Sequence, residues 1–449
     1  QKKFPYSDLV KKNRARSREE AEYEILDTKA FRNKTYFDCF IEYAKADVGD
    51  ILMKITVVNR ASKKASIHVL PHLWFRNFWK HNKRFERPSM KAISEDCVMS
   101  RSVRNGRYYL YHEKGKQLFC DNETNNKRIY NVDNEVPYVK DGINNHVVNG
   151  MDTVNPDKTG SKFAVWHKLT LRAGEEKTVR IRLSKRKLDD PWSGFDAIFQ
   201  NRMQECEEFY NDILADRNLP KEHREIVEKA FSGLLWTKQF YYYDVYKWLF
   251  GGPGEPKPYR ESPRNFSWQH LTNRHVISMP DKWEYPWYAV WDLAFHMASF
   301  VEIDPYFAKE QLILMLRESY MHPNGQIPAY EWNFSDVNPP VHSWAVWNVY
   351  EKDRQKTGTG DINFLEKAFQ KLLINFTWWV NQKDIDGKNL FSGGFLGLDN
   401  ITLFDRSNMP EGCQIIQADG TAWMAFYCGT MLRMALELAS ENKVYEGMA

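Results

Sequence analysis

The spacing of apolar residues changes near residue 190, and this change constrains the fold more than any other feature. Before it, short runs rich in β-branched residues alternate with polar turns, as in 51–58 and 177–183. After it, apolar residues recur every three or four positions, as in 195–214 and 361–383. The first pattern is typical of strands and the second of amphipathic helices. The sequence therefore predicts a β-rich part followed by an α-helical part.

The β-rich part, residues 1–190, is predicted to form an antiparallel β-sandwich. The predicted strands are 36–44, 51–58, 66–74, 163–171 and 177–183. A Lys-Lys turn before 66–74 predicts a hairpin with 51–58, and the next two strands flank another polar turn. Strands at this spacing favour a sandwich. Residues 121–157 are rich in Asn, Asp and Gly and predict a long loop region.

The helical part is predicted to contain a helical linker, 191–220, and a helical domain, 221–449. Further predicted helices are 222–250, 287–302, 305–321, 341–355, 361–383 and 420–441, with a Gly- and Pro-rich loop at 251–282. Long helices with elaborated connections predict an α-helical toroid or bundle whose loops form a cleft. The predicted helices would make about half of a closed toroid of helical hairpins.

Tryptophan is concentrated in the helical part, where twelve of the 16 Trp residues follow residue 216. Aromatic rings stack on the apolar faces of sugars, and they also fill large cores. The Trp content alone leaves both interpretations open.

Composition and motifs exclude several classes of function. The net charge of +4, from 63 basic and 59 acidic residues, does not predict a nucleic-acid partner. No apolar run has the length of a membrane span. Six cysteines without CxxC spacing predict buried free thiols and a cytoplasmic location. No P-loop, dinucleotide fingerprint or HExxH motif is present, and 384–389 lacks a full calcium ligand set, so we expect no cofactor and no metal.

The segment 281–296 carries the strongest candidate for chemistry. Asp292 follows Trp291, precedes Phe295 and lies four residues before His296. Burial among aromatic side chains would raise the pKa of Asp292 and keep it protonated, as a glycosidase general acid requires. Capping of a helix is the alternative role. The aromatic residues of this segment that we expect to bind a sugar are Trp287, Tyr288, Trp291 and Phe295.

The segment 322–342 contains too much Pro, Asn and Gly for a helix, yet it is aromatic. A loop of this kind suits binding of sugar hydroxyls by Glu331, Asn333 and Asp336, with Trp332 stacking on the ring. A rigid structural loop is the alternative.

The segment 393–407 places polar residues in an apolar frame, and we expect Asp399, Asn400 and Asp405 to contribute to substrate binding. Buried carboxylates need partners, so a purely structural pairing of Asp405 with Arg406 stays open.

At these segments the sequence resembles glycoside hydrolase family 63, the inverting α-glucosidase-like family. The matching stretches are 287–296, 324–342, 395–407 and 417–425 in the helical part, and 24–28 and 70–77 in the β-rich part. The resemblance covers most of the chain. It implies an N-terminal β-sandwich followed by an (α/α)6 barrel, with Asp292 as general acid and Trp287 lining the sugar site.

The resemblance implies an exo-acting α-glycosidase that inverts configuration and acts on oligosaccharides or small glycosides. Its general base would be a Glu in later helices of the barrel, and the matching region lies beyond Ala449. Members of the family are roughly twice as long, so we expect truncation at both ends, or a second polypeptide that completes the barrel. The alternatives are an inactive carbohydrate-binding chain and a trehalase- or glucoamylase-like enzyme on the same toroid.

Overall fold

The computed structural model describes residues 4–80, 86–215, 217–251, 266, 268–269, 271–279, 281–282, 286–329, 337–384, 386–391, 410–412 and 418–449. The chain divides into two compact units, Gln1–Phe209 and Tyr210–Ala449.

The first unit is built mainly from antiparallel strands. In chain order they are β1 (Phe37–Asp47), β2 (Asp50–Asn59), β3 (Ala65–Val69), β4 (His72–Trp74), β5 (Ser89–Ala92), β6 (Cys97–Ser102), β7 (Gly106–His112), β8 (Lys116–Cys120), β9 (Thr159–Gly160), β10 (Lys162–Leu171) and β11 (Glu176–Ser184). The helices that begin in this unit are α1 (Tyr6–Ala15), α2 (Asn126–Tyr130), α3 (Gly142–Asn149) and α4 (Phe195–Ile213).

Two sheets share one apolar core. Within the described residues, one sheet has the order β1-β2-β11-β7-β6-β5-β9, and in the other β3, β4 and β8 pair with β10. Ile55 and Ile181 of the first sheet pack in one buried cluster with Phe119 and Phe163 of the second. The predicted β-sandwich character is consistent with this arrangement.

The strand pairing differs from the predicted hairpins. Strand β2 pairs with β1 and β11, whereas β3 pairs with β10, so the hairpin predicted for 51–58 with 66–74 is wrong. The loop predicted at 121–157 also contains the short helices α2 and α3. The connection from β2 to β3 passes from one sheet to the other, as sandwich connections commonly do.

The second unit is mainly helical. Its elements are α5 (Lys221–Trp236), β12 (Lys238–Asp244), α6 (Val245–Phe250), β13 (Thr272–Ser278), α7 (Val290–Phe300), α8 (Pro305–Met315), α9 (His342–Thr357), α10 (Ile362–Lys383) and α11 (Ala418–Ala439). Leu293, Leu312, Val346, Leu372 and Met434, one from each of α7 to α11, are buried in one core. The mixed β and α architecture is thus confirmed, and the first half of an (α/α)6 toroid stays a prediction.

The long helix predicted at 222–250 is wrong. Helix α5 ends at Trp236, and Lys238–Asp244 forms strand β12, which pairs with β13. The aromatic run Phe240–Tyr243 lies in this strand, where alternate side chains point to opposite faces.

Cysteine exposure also differs from prediction. Among the described cysteines, Cys97 and Cys120 are buried, whereas Cys39, Cys206 and Cys428 are exposed, and all five are free thiols. None of the helices in the described part of the chain combines the length and the apolar character that a bilayer crossing requires.

Candidate active site

Asp292 lies in the first turn of α7, which begins at Val290. Apolar residues at helical spacing, Leu293, Met297 and Phe300, are buried and hold one face of α7 against the core. The residue at the N-cap is Ala289, whose side chain cannot accept a hydrogen bond from the helix. Asp292 is therefore the third residue of the helix and not its cap, which removes the alternative role considered from the sequence.

Aromatic rings from three helices meet around Trp291 and Phe295, which flank Asp292 in the sequence of α7, and we call Trp291, Phe295, Trp344 and Trp423 the aromatic cluster. The ring centroid of Trp291 lies 5.3 Å from that of Phe295 and 5.9 Å from that of Trp423, both in edge-to-face contact. The Phe295 ring lies 5.4 Å from Trp344. Phe295 exposes 39% of its surface, so part of the cluster is accessible to a ligand.

Burial raises the pKa of the Asp292 carboxyl, and this effect outweighs the opposing effects of its own backbone N–H and of His296. The helix N-terminus would favour the ionised form, so desolvation is the stronger influence. The described residues form no ion pair with Asp292. A half-buried carboxyl that no described residue pairs with as an ion is suited to hold a proton and to release it to a leaving group.

His296 lies one turn after Asp292 on α7. Its Nδ1 atom is 2.8 Å from the Ser278 hydroxyl, which is in turn 2.7 Å from the Thr237 hydroxyl. Burial lowers the pKa of His296, and the proximity of Asp292 only partly opposes this. The imidazole is therefore held in a fixed orientation and stays neutral near neutral pH. The i, i+4 spacing was visible in the sequence, but the Ser278 contact was not.

Tyr288 lies in the core of the second unit and not on a ligand-accessible surface. Its side chain is fully buried, and its ring centroid is 5.1 Å from Tyr320 and 6.4 Å from Tyr241. This differs from the expected place of Tyr288 in the sugar site, because the ring packs against two tyrosines that are remote in sequence. Trp287 is half-buried against the same core.

Glu331, Trp332, Asn333 and Asp336 lie outside the described residues, but the chain on both sides of them is positioned at α7. The carbonyl oxygen of Ala329 accepts a hydrogen bond from the Val290 N–H at 3.3 Å. The same oxygen accepts one from the Asn338 side-chain amide at 3.4 Å. The two flanks of 330–336 are therefore hydrogen-bonded to each other, and through Ala329 they are hydrogen-bonded to Val290, two residues before Asp292.

Asp399, Asn400 and Asp405 also lie outside the described residues. The N–H of Phe391, on one side of their segment, donates a hydrogen bond to the Thr421 hydroxyl at 3.0 Å. Thr421 is two residues before Trp423, which contacts Trp291 in the aromatic cluster. The chain just before the predicted segment 393–407 is thus hydrogen-bonded to α11, the helix that contributes Trp423.

A small cavity lies beside Trp291, between Val290, Pro339, His342 and Trp379. Its volume of about 30 Å³ is that of roughly one water, so it does not hold a sugar. His342 is buried here, its Nε2 is 2.9 Å from the Leu312 carbonyl oxygen, and burial lowers its pKa to about 4. His342 is therefore a neutral core residue.

Over the described ranges, no group of three or more His, Cys, Asp or Glu residues is arranged to hold a metal ion. In the segment 384–389, Asp384 accepts hydrogen bonds from the backbone N–H groups of Lys388 and Asn389 at 3.0 and 2.9 Å. This carboxylate therefore closes a turn.

Residues 285–398 match the family model of the mannosylglycerate hydrolase MGH1-like glycoside hydrolase domain. The matched range contains Asp292 and the flanks of 330–336. The match supports a glycoside hydrolase-like family, and it does not single out family 63, to which the sequence motifs pointed.

The chain is 42% identical to a Saccharomyces cerevisiae protein described as “Uncharacterized protein YMR196W”, over 100% of this chain and 46% of the relative. The chain thus spans about half the length of this relative. Among solved structures, similarity at 9% identity extends to “Putative kojibiose phosphorylase from human microbiome”, with a TM-score of 0.25 over 75% of this chain and 42% of that one. “Polysaccharide Lyase BACCELL_00875” has a TM-score of 0.23 at 9% identity, over 76% of this chain and 56% of that chain. These TM-scores are too low to indicate that either structure shares the fold of this chain.

Proposed function

We propose that this chain carries the general acid of an inverting, exo-acting glycoside hydrolase, and that Asp292 is that acid. The observation that carries the proposal is a half-buried carboxyl with a raised pKa beside exposed aromatic surface, inside the segment that matches a glycoside hydrolase domain. Carboxylic acids with this environment protonate leaving groups at near-neutral pH.

In the proposed reaction, Asp292 donates its proton to the glycosidic oxygen as the bond from that oxygen to the anomeric carbon breaks. Water attacks the anomeric carbon from the opposite face and gives a proton to a second carboxylate. No described carboxylate influences the pKa of Asp292, and we assign no base among the described residues. A later part of the barrel or a second polypeptide would supply it.

The proposed substrates are glycosides with a terminal sugar that stacks on the aromatic cluster. The resemblance of the motifs favours α-glucosides, whereas the name of the matched family favours sugars linked to glycerate. Trp287 and Phe295 would contact the sugar, and residues of 330–336 would bind its hydroxyls, as the sequence predicts.

Product analysis by proton NMR tests this proposal. The full-length protein is incubated with α-glucosyl disaccharides, an alkyl α-glucoside and a glycerate-linked glycoside, and the first anomer released is recorded. We expect an inverted product from at least one substrate, released about 10²–10⁴ times more slowly by Asp292→Asn. Release of the retained anomer would refute the inverting mechanism, and full activity of the variant would refute the role of Asp292.

A non-catalytic carbohydrate-binding chain is the second candidate, because none of the groups that shift the pKa of Asp292 is a carboxylate. This candidate predicts saturable binding of a glycan by both the wild type and Asp292→Asn, with no product after prolonged incubation of either.

A further inference from the structure

One end of the large sheet in the first unit carries a groove lined by cations. The groove has a volume of about 760 Å³, and its charged lining includes Arg87, Arg101, Arg107, Lys185 and Lys187, against a single described carboxylate, Glu86. We call it the basic groove. Its residues lie at or next to the ends of β5, β6, β7 and β11, which are consecutive in the sheet, so the cations gather at one end of these strands.

Strand register places two of these cations directly opposite each other. Arg101 on β6 is the register partner of Arg107 on β7. Like charges at directly opposed positions of an antiparallel pair destabilise it. Elsewhere in the same sheet the opposed pair Glu42 and Lys54 forms an ion pair at 3.2 Å. The Arg101–Arg107 pair is therefore an unfavourable arrangement that a bound anion would stabilise.

The cations of the basic groove are largely uncompensated by the carboxylates that the structure describes. Arg87 forms an ion pair with Asp121. Throughout the described ranges, no carboxylate forms an ion pair with Arg101, Arg107, Lys185 or Lys187. Guanidinium groups bind planar carboxylate and phosphate groups through paired hydrogen bonds. The charge and geometry of the groove thus suit an anionic ligand.

A second groove adjoins the first and is aromatic. It has a volume of about 680 Å³, is lined by Trp74, Phe78 and Trp79, and shares Glu86, Ser102 and Val103 with the basic groove. Trp74 exposes 55% of its surface. Exposed indole faces bind the apolar face of a sugar ring, and the shared border lets one ligand contact both grooves.

We propose that the two grooves together bind an anionic saccharide. Its phosphate or carboxylate group lies between Arg101 and Arg107, and its ring packs on Trp74. The negative charge of the ligand is inferred from the opposed positions of Arg101 and Arg107 and from the groove cations that form no described ion pair. The choice of a saccharide rests on the proposed function. The site lies in the first unit, and it binds this ligand without transforming it.

Calorimetric titration tests this site with the full-length protein. The ligands are a hexose phosphate, a uronic-acid disaccharide, their uncharged counterparts, inorganic phosphate and a short single-stranded oligonucleotide. The test variant is Arg101→Gln/Arg107→Gln. Lys45→Gln/Lys168→Gln is the matched control, because it removes the same charge from exposed positions of this unit that form no described ion pair.

We expect one of the two anionic saccharides to bind, and the better ligand identifies phosphate or carboxylate as the charge. Its affinity should fall roughly tenfold or more in the test variant and less than about twofold in the control. Trp74→Ala should also weaken it. The melting temperature of the test variant should be equal to or above that of the wild type, because repulsion is removed.

Four outcomes would overturn the proposal: no binding of either anionic saccharide, equal losses in the test and control variants, inorganic phosphate as tight as the saccharide, or tighter binding of the oligonucleotide. Asp292→Asn separates this site from the proposed function. Intact binding without hydrolysis by the wild type would refute only the hydrolase, and hydrolysis without binding at the grooves would refute only this site.

Discussion

Replacing Asp292 with Asn keeps the shape of the side chain and removes the proton that a departing glycosidic oxygen needs. Asp292 forms no ion pair with a described residue, so the variant should fold as the wild type does. General acid catalysis contributes about 10²–10⁴ in rate. We therefore expect kcat/KM of Asp292→Asn to fall by this factor, a loss of about 3–5 kcal/mol of transition-state stabilisation.

The assay compares two substrates that share a sugar and differ in the leaving group. An alkyl α-glycoside needs protonation of its leaving oxygen, whereas a glycosyl fluoride needs little. With the fluoride, the loss in Asp292→Asn should shrink to less than about tenfold. Glu318→Gln is the control, because Glu318 is exposed and forms no described ion pair. Its activity should match that of the wild type on both substrates.

Equal losses on the two substrates would refute this reasoning, because they would show that Asp292 supports binding or folding and does not protonate the leaving group. A variant with wild-type activity on the alkyl glycoside would refute it as well.

Three further predictions concern the helical unit. Lys309→Met removes the ammonium group that lies 2.6 Å from the buried Asp353 carboxylate. The free energy of unfolding, measured in urea, should therefore fall by about 3–5 kcal/mol. An unchanged midpoint of urea unfolding would contradict this. Burial lowers the pKa of His342 to about 4, so the unfolded chain takes up the proton first, and stability should fall by up to about 1.4 kcal/mol per pH unit from about pH 6.5 towards 4. His342→Gln should flatten that dependence, and an unaltered slope would count against it. Gly325 has φ +94°, and an added Cβ would lie 2.7 Å from a carbonyl oxygen, whereas Gly358 has φ +80° and open space around its Cβ position. Gly325→Ala should therefore lower the melting temperature more than Gly358→Ala does. The reverse order would disprove the steric argument.

Elements with a local signal were predictable from the sequence. The helix predicted at 361–383 is observed as Ile362–Lys383, and Asp361 caps it by accepting a hydrogen bond from the Phe364 N–H at 3.0 Å. The strand predicted at 163–171 is observed as Lys162–Leu171. Both depend on side-chain spacing within one segment, which the sequence shows directly.

Elements that depend on remote partners were not predictable in the same way. Strand β12 exists because it pairs with β13, whose residues lie within 251–282, the segment that the sequence predicted to be entirely a Gly- and Pro-rich loop. The hairpin predicted for 51–58 and 66–74 failed because β3 pairs with β10 instead. Sequence spacing indicates that a segment is a strand but not which strand it pairs with.

The candidate site shows the same division. The place of Asp292 on α7 between Trp291 and Phe295, whose rings are in contact, follows from the local sequence. Tyr288 belongs to the same segment, yet its ring is buried against Tyr241 and Tyr320, which come from other segments. The contribution of Trp423 to the aromatic cluster likewise depends on the packing of α11 near α7.

The central claim is that Asp292 holds the catalytic proton, and the pH dependence of kcat/KM tests it most directly. Burial raises the pKa of this carboxyl, so the acid form should persist above the pH at which an ordinary Asp ionises. Activity of the wild type on an alkyl glycoside should therefore fall as the pH rises through that raised pKa. The same limb should be absent from the residual activity of Asp292→Asn. A basic limb that is unchanged in the variant would contradict the account.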